Sequence, residues 1–432
     1  MRTEQDAFGT VTISDEALYG IQTIRTVENM SFSGRTLSQY PAYIQALAQV
    51  KLACAKANGK AGFLTSESSL RIQAACRELI EGKHAEQFPV DVFHGGGSIG
   101  VNMNMNEVIA RLAGEGIHPT DHVNASQSTA DVCHTGARIA ILAMMKPLEQ
   151  AVHAIAGEVK RKAEAFESIR TIARTCWQDG MSVSLASLFD GFEAALSRRM
   201  ASLTSASAEL NRVNIGGTVI GSGVGAPAEY RACILNELRE VTGLPLQWRE
   251  SLYDAAQNPD DLARLSSEIR VTAALFTKFA KDLRLLSSGP EAGLSELTLP
   301  AVQAGSSFFP GKVNPVVPEM MIQCGMLVAG NDSVIQTALE MGEVHLNLWE
   351  GLMAVLLMQN IGMLTRSLQA FHSKCVAGIE PNIERCESYA ESYIPMIVEL
   401  KEKYGYQQVS EWVKDLSKEQ IQNKFREAKH HE

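Results

Sequence analysis

The sequence predicts an all-α protein, and two observations carry that prediction. Alanine, leucine, methionine and isoleucine recur at spacings of three and four, the period of one helix face, over residues 129–166, 182–210, 261–287 and 317–372. Runs that alternate polar and apolar residues, as strands do, are almost absent. Because several of these stretches exceed about 25 residues, we expect a bundle of long helices.

The length of 432 residues exceeds what one compact core normally holds and predicts two or three domains. We expect a mainly helical N-terminal domain over residues 1–128. A central long-helix domain should follow over 129–382, and a small domain of short helices over 383–432.

Composition excludes several function classes. The formal net charge is −10, which argues against nucleic acid as a partner. We find no run of 18 apolar residues and no apolar leader, so we expect a cytoplasmic protein without a membrane span. The eight cysteines are scattered and predict free thiols. His118 and His122 lie four apart, but Pro119 breaks the helix that would align them, so we expect no metal site.

The N-terminal part contains both kinds of element. Residues 9–14 alternate polar and apolar side chains and predict a short hairpin strand. The helical period begins near residue 41 and returns over residues 66–83. Four glycines then fall within residues 94–101, a segment that should form a loop feeding the helix that contains Asn106 and Glu107.

Four polar or glycine-rich segments interrupt the helical background, and these are the candidates for chemistry. They are residues 94–101, 122–131, 174–180 and 303–315. Ser128 and Thr129 precede a long helix, where hydroxyls either cap the helix or help its free N–H groups bind an anion. Thr175 and Gln178 precede a helical run, so capping applies to them as well.

The last of these segments is the most informative. Two glycines and two prolines bracket two hydroxyls, a lysine and an amide, which is how a closing loop is built. Lys312 and Asn314 are two apart, so in an extended loop they face the same way and can grip one carboxylate. The alternative is an ordinary surface turn.

The segment from Gly305 to Pro315, with Ser306, Ser307, Lys312 and Asn314 in order, resembles the signature loop of the aspartase/fumarase superfamily. The resemblance extends over nearly the whole chain, from residues 19–23 through 118–124 to 282–290. Ser128-Thr129 and residues 315–319 are more similar to aspartate ammonia-lyases than to fumarases.

This resemblance implies a three-domain fold whose central five-helix bundle forms a twenty-helix core in a homotetramer. Three subunits contribute to each active site. It implies an anti elimination in which a loop serine, here Ser306, takes a proton from carbon. Ser128, Thr129 and Ser307 match the oxyanion donors, and Thr175, Lys312 and Asn314 match the grip on the other carboxylate. No cofactor is expected, since no Ala-Ser-Gly triplet occurs.

The chain departs from the family pattern at four positions. Cys176 stands where the family has a histidine that pairs with the loop glutamate, here Glu319. Ala130 replaces an asparagine, and Ile99-Gly100 replaces Thr-Ser, a loss for which Ser98 could compensate. In aspartases the asparagine and the histidine help to hold the leaving amine.

These departures predict that the substrate differs from aspartate and that L-aspartate is a poor substrate. Trp177 offers a cation–π face, so we expect a trimethylammonium betaine, with chemistry similar to the release of trimethylamine by ergothionase. The alternatives are aspartate ammonia-lyase, a fumarase-like hydratase and a non-catalytic homologue. In the catalytic cases the partner is a small amino acid or betaine, with no nucleic acid and no membrane.

Overall fold

The computed structural model describes residues 1–430, so the last two residues of the predicted 383–432 domain lie outside it. Helices dominate, which confirms the all-α prediction. They are α1 (Ile21–Met30), α2 (Pro41–Lys60), α3 (Ser66–Ile80), α4 (Ile99–Ala113), α5 (Thr129–Phe166), α6 (Ala186–Glu209), α7 (Ala228–Thr242), α8 (Leu252–Gln257), α9 (Asp260–Leu286), α10 (Val316–Glu340), α11 (Glu350–Lys374), α12 (Ile383–Ala390), α13 (Tyr393–Tyr404), α14 (Tyr406–Asp415) and α15 (Lys418–His430).

The strands of the described chain form two-stranded sheets. Antiparallel pairs join β1 (Arg2–Asp6) to β2 (Gly9–Ile13), β3 (Arg170–Thr175) to β4 (Gln178–Ser184), and β7 (Leu297–Thr298) to β8 (Glu380–Pro381). The pair β5 (Arg212–Val213) and β6 (Gln247–Trp248) is parallel. The strand predicted at residues 9–14 is therefore confirmed as β2.

Two sequence expectations are wrong, one about a long helix and the other about the element that follows Thr175 and Gln178. The stretch 317–372 is two helices, α10 and α11, separated by residues 341–349. Asn347 lies in that break, and its side-chain amide donates to the carbonyls of Ala338 and Leu339, which satisfies the C-terminal end of α10. Thr175 and Gln178 do not precede a helix; they flank the tip of the β3–β4 hairpin.

The chain forms two compact units, each assembled from three segments. Unit 1 comprises residues 1–148, 201–271 and 327–364, and unit 2 comprises 149–200, 272–326 and 365 onward. The boundaries predicted for three domains stay a prediction.

Each unit has its own means of holding the long helices together. In unit 2, the rings of Phe166, Phe189, Phe192, Phe276, Phe279 and Phe371 join α5, α6, α9 and α11, with centroids 3.9–6.2 Å apart. In unit 1, Arg138 of α5 makes buried ion pairs with Asp261 of α9 and Glu350 of α11. A buried ion network of this kind fixes register, because each charge needs its partners.

The 38-residue helix α5 is long and apolar enough to cross a membrane by length and composition alone. Core helices of water-soluble proteins pass the same test. Its charged residues Asp131 and Arg138 are buried against partners in unit 1, as expected of a core helix.

Candidate active site

The glycine-rich loop of unit 1 is shaped by His94. The Nε2 atom of His94 accepts hydrogen bonds from the backbone N–H groups of Gly100 (2.7 Å) and Val101 (3.3 Å), which caps the start of α4. A Cβ at position 100 would lie 2.6 Å from the His94 ring, so this approach requires glycine. The absence of a hydroxyl at position 100 therefore has a packing cause. Ser98 is in the left-handed region (φ 70°) just before α4.

The N-terminus of α5 is capped chiefly by Asp131. One carboxylate oxygen accepts from the Ser128 N–H (2.8 Å), and the other accepts from Gly216 (3.0 Å) and Thr218 (3.2 Å). Burial raises the pKa of Asp131 to about 6, although these N–H groups oppose that rise. Ser128 adds to this cap, since its Oγ accepts from the Ala130 N–H at 3.4 Å. Ser128 and Thr129 are both half-exposed, and each hydroxyl hydrogen can still be donated to a ligand.

A buried lysine that the sequence did not single out lies behind this helix start. Lys51 of α2 is fully buried, and its ammonium donates to the side-chain oxygens of Asn124 and Gln127, both at 2.9 Å. Burial lowers the pKa of Lys51 to about 8. Asn102 links this network to the helix, because its amide donates both to Asn124 (3.2 Å) and to the Thr129 hydroxyl (3.0 Å).

The loop of unit 2 that contains Ser306 closes on itself. The N–H of Gly305 donates to the carbonyl of Lys312 (2.8 Å), and the Asn314 amide donates to the carbonyl of Gly305 (2.6 Å). A Cβ at Gly305 would lie 2.5 Å from the backbone nitrogen of Asn314, so only glycine permits this closure. The apex is open to solvent, with Phe308 80% exposed.

Ser306 is half-buried in this loop, and Ser307 is exposed. The Ser306 Oγ atom accepts hydrogen bonds from the N–H groups of Phe308 (3.0 Å) and Phe309 (2.9 Å). Such donors stabilise the alkoxide form that a serine base needs.

The third polar segment forms the tip of the β3–β4 hairpin. Cys176 (φ 52°) and Trp177 (φ 61°) are both left-handed, the backbone of a two-residue turn that normally favours asparagine and glycine. Thr175, Cys176 and Trp177 are all exposed, Trp177 at 72%. Large side chains at strained, exposed positions favour a binding role over a packing role.

A groove of about 1250 Å³ in unit 2 collects several of the predicted residues. Trp177, Lys312, Asn314 and Glu319 line it together with the C-terminal part of α9. Ser306 and Ser307 belong to the same loop as Lys312 but are not among its lining residues, and neither are Thr175 and Cys176. Ser98, Ser128 and Thr129 belong to unit 1.

The groove favours an anion. Lys278 pairs with Asp282 at 2.5 Å, and Arg284 pairs with Glu319 at 3.1 Å. Lys281 and Lys312 are left without a carboxylate partner within residues 1–430. The Lys312 ammonium lies 5.4 Å from the centroid of the Phe309 ring. Glu319 is therefore paired with Arg284. The histidine that pairs with this glutamate in the family is absent here, because residue 176 is a cysteine.

Three comparisons with known proteins agree with this architecture. A family model described as lyase matches residues 9–330. Aspartate ammonia-lyase of Helicobacter pylori strain J99 is 37% identical over 428 residues, covering 97% of this chain and 92% of the relative. The enzyme of the same name from a Bacillus species is 38% identical, covering 94% of this chain and 89% of the relative.

Two solved structures are also similar. A Brucella melitensis protein described as fumarate lyase:delta crystallin, bound to cobalt, has a TM-score of 0.92 at 38% identity, and the match covers 98% of both chains. The class II fumarase of Schistosoma mansoni has a TM-score of 0.92 at 28% identity, covering 96% of this chain and 92% of that one.

Proposed function

Since this chain belongs to the lyase family of the aspartase/fumarase superfamily and is a carbon–nitrogen lyase, we propose that it releases ammonia from an amino dicarboxylate of the L-aspartate type. The observation that carries the proposal is the closed Gly305–Pro315 loop beside a groove with two unpartnered lysines within residues 1–430.

Ser306 acts as the base. Its Oγ takes the proton from the carbon beside one carboxylate, the C–H electron pair forms the carbon–carbon double bond, and the amine leaves with the electrons of the C–N bond. The two N–H groups that Oγ already accepts support this role, because they stabilise negative charge on oxygen.

In a site shared between subunits, negative charge that develops on the carboxylate beside the acidic carbon is held by Ser128 and Thr129, with Ser98 nearby in the glycine loop. Ser307 is contributed to that site by another copy of the chain. Support comes from the α5 N-terminus, whose dipole favours an anion, and from the Thr129 oxygen that already accepts from Asn102. With that lone pair occupied, the Thr129 hydrogen is free to donate to the ligand.

The second carboxylate is bound by Lys312, Asn314 and Thr175. Lys312 is exposed with no carboxylate partner within residues 1–430, and Asn314 keeps its side-chain oxygen and one N–H free after bonding Gly305. Glu319, held by Arg284, stands at the rim of the same groove.

The relatives favour aspartate over the betaine expected from the sequence, because both curated relatives described above are named aspartate ammonia-lyase. A trimethylammonium substrate is the second candidate. The observation that favours it is Trp177, whose exposed ring lines the same groove as Lys312 and Asn314. Cys176 and Ala130 offer no strong acceptor to a primary amine.

We further propose a cytoplasmic homotetramer with shared active sites. Helix α10 carries the exposed apolar side chains Met326 (65%), Leu327 (57%) and Val334 (44%), which are typical of a subunit interface. Four copies would bury these faces against one another.

The proposed function is tested by incubating the protein with L-aspartate, other amino acids and a series of betaines. Formation of a conjugated double bond is followed by ultraviolet absorbance, and the amine released is identified. Turnover of L-aspartate to fumarate and ammonia supports the first candidate. Release of trimethylamine with no ammonia from aspartate supports the second, and no elimination from any of them contradicts both.

A further inference from the structure

The candidate site of unit 1 contains a histidine that the sequence motifs do not single out. His134 of α5 lies four residues after Ala130, so the two side chains share one face of the helix. Helical side chains lean toward the N-terminus, which directs His134 toward Ala130 and the helix start at Ser128 and Thr129. Ala130 is small and, like His134, buried.

The ring faces a carboxylate at ion-pair distance. His134 Nδ1 lies 2.8 Å from Glu350 Oε2, and neither atom has another polar partner within residues 1–430. Burial pushes the pKa of Glu350 up, but Arg138 and His134 outweigh it and hold that pKa below its ordinary value. Glu350 is therefore a carboxylate. An Nδ1–H that faces this carboxylate leaves Nε2 as the acceptor nitrogen of the ring.

The charges around His134 call for a cation. Arg138 contacts Glu350 at 2.5 Å and Asp261 at 2.8 Å, and all three side chains are at most 8% exposed. Two buried carboxylates face one guanidinium in this cluster, which favours a further positively charged group beside them.

The cluster adjoins a residue already assigned to the site. A Cβ on Gly351, the neighbour of Glu350, would lie 2.3 Å from Ser98 Oγ, and the Cys133 thiol contacts the Ser98 carbonyl at 3.9 Å. The start of α11, the glycine loop and the start of α5 thus meet within unit 1.

We infer that His134, oriented by Glu350, is a specificity-determining residue whose Nε2 accepts a hydrogen bond from the ammonium group of the substrate. Among the described residues Nε2 makes no hydrogen bond that would compete. The inference rests on the proposed function and narrows it. It selects an amine that carries N–H donors and disfavours a quaternary ammonium, which has none. It also supplies an acceptor in place of those missing at positions 130 and 176.

The competing explanation is a core histidine that only neutralises Glu350. Two substitutions separate them. In His134→Asn, the amide can still donate to Glu350 but nothing occupies the place of Nε2. In His134→Gln, the longer side chain puts an oxygen near the place of Nε2 but loses the Nδ1 donor.

The dissociation constants of L-aspartate and succinate are measured for the native protein and both variants, with thermal melting as the check on folding. Succinate carries both carboxylates and no amine. If His134 binds the amine, His134→Asn weakens L-aspartate by roughly 10- to 100-fold, the loss of one charge-assisted hydrogen bond, and leaves succinate nearly unchanged. His134→Gln should retain most of the preference for aspartate.

Equal loss of both ligands in His134→Asn, or a larger loss in His134→Gln than in His134→Asn, would overturn the inference. Should both variants melt below the assay temperature, the native protein alone decides: it should bind L-aspartate at least about tenfold more tightly than the N-trimethyl betaine of aspartate. Equal or reversed affinity contradicts the inference. Binding without turnover would contradict the proposed function and leave the ligand comparison able to decide on His134.

Discussion

The side-chain amide of Asn102 donates a hydrogen bond to the hydroxyl oxygen of Thr129 over 3.0 Å. This contact fixes the direction of the Thr129 hydroxyl, because an oxygen that already accepts turns its own hydrogen toward another partner. Asn102 is 2% exposed, so the orientation is set before any ligand arrives. A donor prepared in this way is what stabilisation of a developing oxyanion requires.

Thr129→Val should therefore lower kcat by about 10²–10³-fold, the range for removal of one oxyanion donor. Thr135→Val is the matched control, since Thr135 lies on the same helix and its hydroxyl bonds the buried Asn214 at 3.2 Å. The control should lose stability and keep its kcat. Steady-state kinetics on both variants check this, and a larger loss of kcat in Thr135→Val would contradict the assignment.

Lys51 should govern the alkaline limb of the pH profile. The titratable groups that face it are Cys54 on α2, Cys76 on α3, and Asp131 and Cys133 on α5. Burial holds the pKa of each of these thiols far above the ordinary value, so between pH 7 and about 9 only Lys51 changes charge. Because its pKa is about 8, turnover should fall above pH 8. The Lys51→Met variant should turn over substrate more slowly at pH 7, and its turnover should not fall above pH 8. If turnover of the variant still falls above pH 8, another group is responsible for that fall.

The lowered pKa of Lys51 also predicts how the stability of the folded protein depends on pH. Burial lowers the Lys51 pKa from 10.5 to about 8, so below pH 8 the charge destabilises the folded state. From pH 8 to 10.5 the unfolded chain binds more protons than the folded one, and stability rises with pH. The native protein should gain up to about 3 kcal/mol relative to Lys51→Met across that window, as measured by denaturant unfolding at both ends. A constant difference between the two proteins would contradict the buried charge.

Replacing the two residues at the hairpin tip should raise the stability of the protein and lower its turnover. Cys176 and Trp177 both adopt positive φ, which costs roughly 1–2 kcal/mol per residue for side chains of this kind. Replacing the pair by Asn-Gly suits the turn and should raise the melting temperature. If Trp177 contacts the substrate, the same double variant should lose turnover. Unchanged kcat/KM would show that the tip has no role in catalysis.

Assembly is a separate prediction. The exposed apolar faces of α10 should be covered in a tetramer, so light scattering at micromolar concentration should report four copies of the 47.0 kDa chain. Charged substitutions at Met326 and Val334 should shift the population toward smaller species and lower turnover together, because sites shared between subunits would be lost. A fully active monomer would contradict shared sites.

Long helices were predictable because their signal is local and repeated. The period over residues 129–166 survives Pro147, and α5 has those bounds. The break between α10 and α11 was missed although Gly342 marks it, because the apolar period resumes beyond it. The β3–β4 hairpin was missed because its turn carries Cys-Trp, where local preference predicts asparagine and glycine.

The polar segments of the candidate site were also visible in sequence, since glycines, prolines and hydroxyls interrupt an apolar pattern. Lys51 and His134 were not, because each lies inside a helical stretch where a charged residue normally faces solvent. Their importance comes from burial and from partners such as Asn124 and Glu350, which are distant in the chain. Such relationships exist only in the folded molecule.

The central claim is that Ser306 removes the carbon-bound proton, and the most direct measurement is kcat of Ser306→Ala with the substrate that the native protein turns over. We predict a fall of about 10²–10⁴-fold, the range for loss of a general base, with an unchanged melting temperature because the Phe308 and Phe309 N–H groups are in the exposed part of the loop. Ser307→Ala, one residue away, removes an oxyanion donor and should lower kcat by about 10²–10³-fold. Near-native turnover in Ser306→Ala, with Ser307→Ala equally active, would contradict the account.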